Sequence, residues 1–150
     1  MALKSDRFEL QTDISFFYNA GTATRGGVVC HDTAGSGAAM DQGVNLVKYA
    51  TTGVPVGVLL NDVVNKDLTR THLNQYKDEI QKGGKVAVLR KGYVVTNSVD
   101  ITQPPVAGSG AYRSTVVAGN ISMVASGNQI GAFLSSRDAD GYCKVEVSLP

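Results

Sequence analysis

Residues 54–98 read VPVGVLLNDVVNKDLTRTHLNQYKDEIQKGGKVAVLRKGYVVTNS, and this stretch decides the fold class. It opens on an apolar run, Val54 to Leu60, with the length and β-branched content of a buried strand. It closes on two β-like runs, Lys85 to Arg90 and Tyr93 to Asn97. Val86, Val88 and Arg90 alternate with Ala87, Leu89 and Lys91, so one face is aliphatic and the other ends in charge. Lys91-Gly92 joins the two runs, and the glycine there predicts a tight reversal. In between, Leu68, Leu73, Tyr76 and Ile80 recur at spacings of five, three and four. Asp67 or Thr69 can cap that pattern and Gly83-Gly84 stops it, which predicts a short helix over 69–81. Strand, excursion and hairpin together predict a mainly β chain, a small β-barrel or sandwich with one short helix.

Outward from this centre, the N-terminal residues differ in character. Phe8, Leu10, Ile14, Phe16 and Tyr18 fall on alternate positions with Glu9, Gln11, Asp13 and Ser15 between them, a period-two pattern with one sticky face. Phe17 adds a further ring. Residues 19–27, NAGTATRGG, read as a flexible linker by composition. Two readings stand side by side: an ordinary first strand, or an extended arm and linker over 1–27 that docks on a partner chain, ahead of a β domain over 28–150. Val28 to His31, Val44 to Ala50, Ala111 to Val117, Ile121 to Val124, Gln129 to Ser136 and Tyr142 to Leu149 are further strand candidates. The loop containing Pro104-Pro105 separates two halves of similar design. Residues 47–62 and 123–136 echo one another, with Gly57 and Gly131 matched inside apolar runs. A glycine there marks a bulge, a bend or a close backbone approach.

Length and composition limit the rest. At 150 residues the chain suits one domain, able to bury roughly 70% of its extended-chain surface. Seventeen glycines and no tryptophan fit many short strands and tight turns. The net charge of +1, with Lys and Arg spread thinly, argues against a nucleic-acid groove. The longest apolar run is one strand long, far below the ~20 residues of a membrane helix. These features predict a soluble protein made in a reducing cytoplasm, with no nucleic-acid or membrane partner.

Cys30 and Cys143 read as two small buried hydrophobes rather than a disulfide or a metal site. His72 is a lone histidine on the polar segment, and with Arg70, Tyr76 and Lys77 it could form an oligomer contact instead of a solvated face. Asp138-Ala139-Asp140-Gly141 superficially resembles the start of a calcium loop. The twelfth-position glutamate is missing, so it reads as a hairpin turn closed by Gly141. No nucleophile elbow, phosphate loop or spaced ligand set is present, which points away from an enzyme and from any cofactor. Tyr93, Tyr112 and Tyr142 would be the contacts of a soluble ligand-binding module, the alternative reading.

The order of these motifs resembles a family. After the period-two leader come VGVLLNDVV, then GKVAVLRKGYVVTN, then QIGAFLSS-x-DADGY-x-KVEV. Over Val56 to Asn97 and Gln129 to Val147 the chain resembles capsid decoration (cement) proteins of tailed bacteriophages, especially those of cyanophages and other aquatic phages. The resemblance implies a β-tulip or related small barrel on the outer surface of the virion. It implies binding to the major capsid protein at junctions between subunits, as a homotrimer, with Phe8, Leu10, Ile14, Phe16, Phe17 and Tyr18 as the gripping leader. A phage tail or neck component is the nearest structural alternative. The lambda-type decoration protein is shorter and lacks an excursion like 65–82.

Overall fold

The computed structural model describes residues 3–4, 6–21, 23–32, 46–62, 79–81, 83–125 and 127–149. The described chain is mainly β, as the alternation predicts, and contains no helix. Its strands are β1 (Phe8–Tyr18), β2 (Ala23–Thr24), β3 (Val28–His31), β4 (Leu46–Tyr49), β5 (Pro55–Asp62) and β6 (Glu79–Ile80). They continue with β7 (Lys85–Thr96), β8 (Gly110–Arg113), β9 (Ile121–Ser122), β10 (Gln129–Phe133) and β11 (Cys143–Ser148).

Nine strands form one sheet in the order β1-β4-β3-β5-β7-β11-β10-β8-β9, and β1 also pairs with β7. That extra pairing closes a ring of neighbours, β1–β4–β3–β5–β7 and back to β1. The other four strands form a wing that begins on β7. β2 and β6 make a separate small ladder.

β7 is the hinge of this arrangement. β1 lies along one edge, from Phe8↔Tyr93 to Phe17↔Lys85. The opposite edge is shared. β5 takes its first half, from Val58↔Leu89 to Asp62↔Val86, and β11 takes its second, from Ser148↔Lys91 to Cys143↔Thr96.

The predicted reversal at Lys91-Gly92 does not occur, because β7 runs unbroken through both residues. Gly92 instead admits a neighbouring backbone. Its φ is +140°, and a Cβ there would sit 2.0 Å from the Phe8 carbonyl oxygen. The sequence signal for backbone freedom was sound, and tertiary packing used it for close approach rather than for a turn.

Two apolar cores result. One holds Phe16, Tyr18, Val29, Val47, Val56, Leu59, Ile80, Val86 and Val88. The other lies under the wing and holds Val28, Val58, Leu60, Leu89, Val94, Ile121, Ile130, Phe133, Val145 and Val147. β3, β5 and β7 therefore bury both faces, which is why their sequences read as nearly continuous apolar runs. The aliphatic-versus-charged split read for Lys85 to Lys91 is accordingly incomplete: Val86 and Val88 enter one core while Leu89 enters the other. Each fully buried aliphatic side chain gains about 1.5–3 kcal/mol over exposure.

The two echoed glycines serve one purpose. A Cβ on Gly57 would meet the Leu89 carbonyl oxygen at 2.2 Å, and one on Gly131 would meet that of Glu146 at 1.9 Å. Gly141, at φ +90°, closes the turn after β10, where Asp138 Oδ1 accepts from the amides of Asp140 (3.0 Å) and Tyr142 (2.8 Å).

The predicted helix lies mostly outside the described residues. Its end does not continue as helix, because Glu79 and Ile80 pair as β6 with Thr24 and Ala23 and Ile80 is fully buried. Arg70, His72, Tyr76 and Lys77 also fall outside the described residues. Cys30 and Cys143 are free and buried, as expected of small hydrophobes, and burial pushes the Cys30 thiol up to about 11.

Candidate docking surface

β1 divides into two halves with different surroundings. Its C-terminal end is core: Phe16 and Tyr18 are buried, and Phe17 is half-buried beside the Lys85 ammonium. Residues 8–12 are exposed on both faces of the strand. They are held by the ladder to β7 and by Phe8, whose ring stacks on Tyr93 with centroids 6.1 Å apart. Phe8, Leu10 and Ile14 are 52%, 67% and 53% exposed. Three large apolar side chains on one outer strand are a concentration that a solvated strand does not need. The period-two pattern thus marked a real face, but the face is split. Register shifts after Glu9, Gln11 and Asp13 break the alternation, so Phe8, Leu10 and Ile14 turn to solvent while Phe16 and Tyr18 turn inward.

Among the described residues, the strand edge of β1 away from β7 pairs only at Phe17 and Tyr18, with Leu46 and Val47 of β4. Asp13 occupies part of the remainder. Its Oδ1 accepts from the Ser15 amide at 2.8 Å and from the Ser15 hydroxyl at 2.5 Å, and these bonds lower the Asp13 pKa. From Phe8 to Thr12 the edge has no ladder among the described residues.

On the β7 side of β1 lies a groove of about 370 Å³. Phe8, Leu10, Gly92, Tyr93, Leu134 and Val147 line it, with Lys91, Glu146 and Ser148. Leu134 and Val147 are contributions that the sequence pattern did not single out. The signal was present in Phe133-Leu134, adjacent apolar residues of which a strand with one buried face can bury only one. Phe133 is fully buried and Leu134 is exposed.

The segment that reads as a linker is held by the body. The Gly26 amide donates to the Leu59 carbonyl at 2.8 Å, and the Thr96 hydroxyl donates to the Gly26 carbonyl at 2.8 Å. The Tyr49 hydroxyl donates to the Thr24 carbonyl and accepts from the Gly27 amide, and burial raises its pKa strongly. These bonds fix the point from which β1 departs.

Two tyrosines of the ligand-binding reading, Tyr93 and Tyr142, are engaged within the chain. Tyr93 carries the Phe8 ring on one neighbour strand and the Lys144 ammonium, 4.0 Å from its centroid, on the other. The Lys4 ammonium lies 4.5 Å from the centroid of Tyr142. Among the described residues no cluster of three or more His, Cys, Asp or Glu could hold a metal ion. No helix of the described chain is long and apolar enough to cross a membrane. Among the described residues the surface offers shape, apolar area and main chain without a ladder partner, which suit adhesion to another protein.

Comparison with known proteins agrees with that character. No curated protein matches the chain. A phage family model described as structural cement protein (E217 gp24/Pam3 gp6) matches residues 7–148. That match starts one residue before β1, ends with β11, and takes in the exposed strand, the groove and both cores. The chain belongs to the phage structural cement protein family.

Proposed function

We propose that this cement protein binds the outside of the assembled phage head and bridges neighbouring major capsid subunits, with the outer half of β1 and the adjoining groove as the contact. The observation that carries the reading is the stripe of Phe8, Leu10 and Ile14 on a strand whose outer edge has no ladder partner over Phe8 to Thr12 among the described residues. A segment of the shell can add to that edge through main-chain hydrogen bonds and seat apolar side chains in the groove. Such a contact stabilises the assembled shell over its free subunits by mass action. A net charge of +1 suits many copies crowded on one surface, where strong like charge would repel. The family resemblance adds a trimer at three-fold junctions, with a β-tulip body, to this reading.

The test is co-sedimentation with bare heads. The triple variant Phe8→Ser/Leu10→Ser/Ile14→Ser is expected to keep its melting temperature within a few degrees and to lose shell binding. Full occupancy by this folded variant would refute the assignment. Light scattering of the free protein tests the trimer.

A further inference from the structure

Residues 6–15 are tied to the body at both ends and lightly in between. Before them, Leu3 is buried in the core under the wing and bridges to Thr96, and the Lys4 amide donates to the Val95 carbonyl at 2.9 Å. After them, Phe16 and Tyr18 enter the other core, and the Tyr18 amide donates to the Gly84 carbonyl at 3.0 Å. Between these anchors Asp6, Phe8 to Thr12, Ile14 and Ser15 are exposed. Polar side chains here bond along the segment itself: Arg7 Nε pairs with Glu9 Oε1 at 2.8 Å, and Asp13 accepts both Ser15 donors. Among the described residues the middle is held to the body by the ladder to β7, by the Phe8 ring on Tyr93, and by the pull of the Arg90 guanidinium on the Asp13 carboxylate.

The segment is also longer than the strand it lies on. Leu3 and Phe16 are thirteen steps of chain apart, whereas their partners, Thr96 and Val86, are ten steps apart. Three surplus residues amount to about 10 Å of extended chain. Two of them fall before Phe8, and the third is absorbed among the register shifts after Glu9, Gln11 and Asp13. A bulged strand is a poor template for another strand, which is how exposed edges are kept from pairing indiscriminately. The edge from Phe8 to Thr12 thus joins side chains that suit a partner to a backbone that does not.

We propose that residues 6–15 are a strap that opens as a unit between its two anchors, bowing off β7 so that its surplus length straightens and its edge becomes fit to receive a strand. The inference rests on the cement reading above, whose contact it makes conditional on this opening. In the closed form the strap is one wall of the groove, through Phe8 and Leu10, and β7, β11 and Leu134 supply the rest. Opening therefore widens the groove and regularises the edge in one movement. Both cores stay filled, because Leu3, Phe16 and Tyr18 remain seated. An opening that breaks one short ladder and one ring stack, with few buried apolar contacts, belongs to the low end of local stability. While closed, the bulged edge protects the free protein from pairing with its own copies.

Hydrogen exchange of the free wild-type protein reads the strap directly. Amides of residues 8–13 that bond to β7 are expected to exchange together, about tenfold or more faster than those of Lys4 and Tyr18. Equal protection throughout overturns the strap. So does exchange of Lys4 along with residues 8–13, because the segment would then be a fraying end with one anchor. Co-sedimentation with bare heads reads the consequence, in the variant Gln11→Cys/Lys91→Cys. These two residues are partners across β1 and β7, at a separation that a disulfide spans, and the native Cys30 and Cys143 are buried. The oxidised form is expected to bind heads about tenfold more weakly than the same variant reduced, because the staple removes the open state. Equal binding by the two forms overturns the proposal. A wild type that does not sediment with heads removes the cement reading, and the exchange pattern alone then upholds or overturns the strap.

Discussion

Single residues in this protein are constrained most where a backbone passes over a position with no side chain. Gly131 is the sharpest case, since a Cβ there would lie 1.9 Å from the Glu146 carbonyl oxygen and two paired strands would have to part. Gly131→Ala is expected to cost about 2 kcal/mol or more, read as a fall in melting temperature of about 4 °C or more. Gly21 has open space around its Cβ position, so Gly21→Ala is expected to be neutral or stabilising by up to about 1 kcal/mol. The contrast checks the geometry, because both substitutions add the same atom. Asp138 supplies the acid-sensitive residue. Backbone amides, that of Tyr142 first, hold its carboxyl below the ordinary aspartate value of 3.8. A depressed folded pKa contributes stability that is present above the ordinary value and is lost as pH falls through the lowered one. Amide shifts of Asp140 and Tyr142, followed by NMR, are therefore expected to move in acid. In Asp138→Asn, which keeps an acceptor oxygen but does not titrate, they are expected to stay flat.

At the level of elements, β7 carries the molecule. It is the only described strand that joins the ring to the wing, and both its edges are filled. The irregularities around Arg90 and Gly92 send residues of like parity into different cores, since Val88 packs in one and Val94 in the other. Gly92 also sets how closely the outer half of β1 can lie. Adding a Cβ there would displace the Phe8 carbonyl while leaving Phe16 and Tyr18 seated. Gly92→Ala is thus expected to release residues 8–12 selectively. Hydrogen exchange would report faster exchange at those amides with little change near β4. Uniform protection across β1 in that variant would show that Gly92 is not the clamp.

For the whole molecule, the two halves of β1 have opposite consequences. The outer half touches the body lightly, whereas the inner half completes one of the two cores and the ring of pairings. Deleting residues 1–18 removes Phe16, Tyr18 and the β7 edge partner together, and also Leu3, which is buried and bridges to Thr96. Losing two buried aromatics typically costs about 3–5 kcal/mol each, so this truncation is expected to unfold the domain or lower its melting temperature by more than 10 °C. The surface triple variant is not expected to do so. Thermal melts of the two proteins separate adhesion from folding, a distinction on which any reading of shell-binding data depends.

Strand content, the positions of most strands and the family were legible in the chain because they depend on local alternation and on motifs that survive as written. Cys143, Val145 and Val147 face inward and Glu146 and Ser148 outward, as period two requires. Matched glycines at 57 and 131 announced a bulge, a bend or a close backbone approach, and close approach is what the packing made of them. What the sequence could not disclose was which backbone would approach. Gly92 looks the same whether a chain reverses at it or another strand crosses it, and only the arrival of β1, some eighty residues earlier in the chain, decides between them. The same holds for the docking surface. Phe8 and Phe16 share one alternation, yet three register shifts send one to water and the other to the core. The loop 114–120 is closed by a carboxylate at Asp100 meeting Ser114 and Asn120, which lie 14 and 20 residues away in the chain. Alternation is a property of neighbours in the chain, while burial, register and preorganisation are set by neighbours in space.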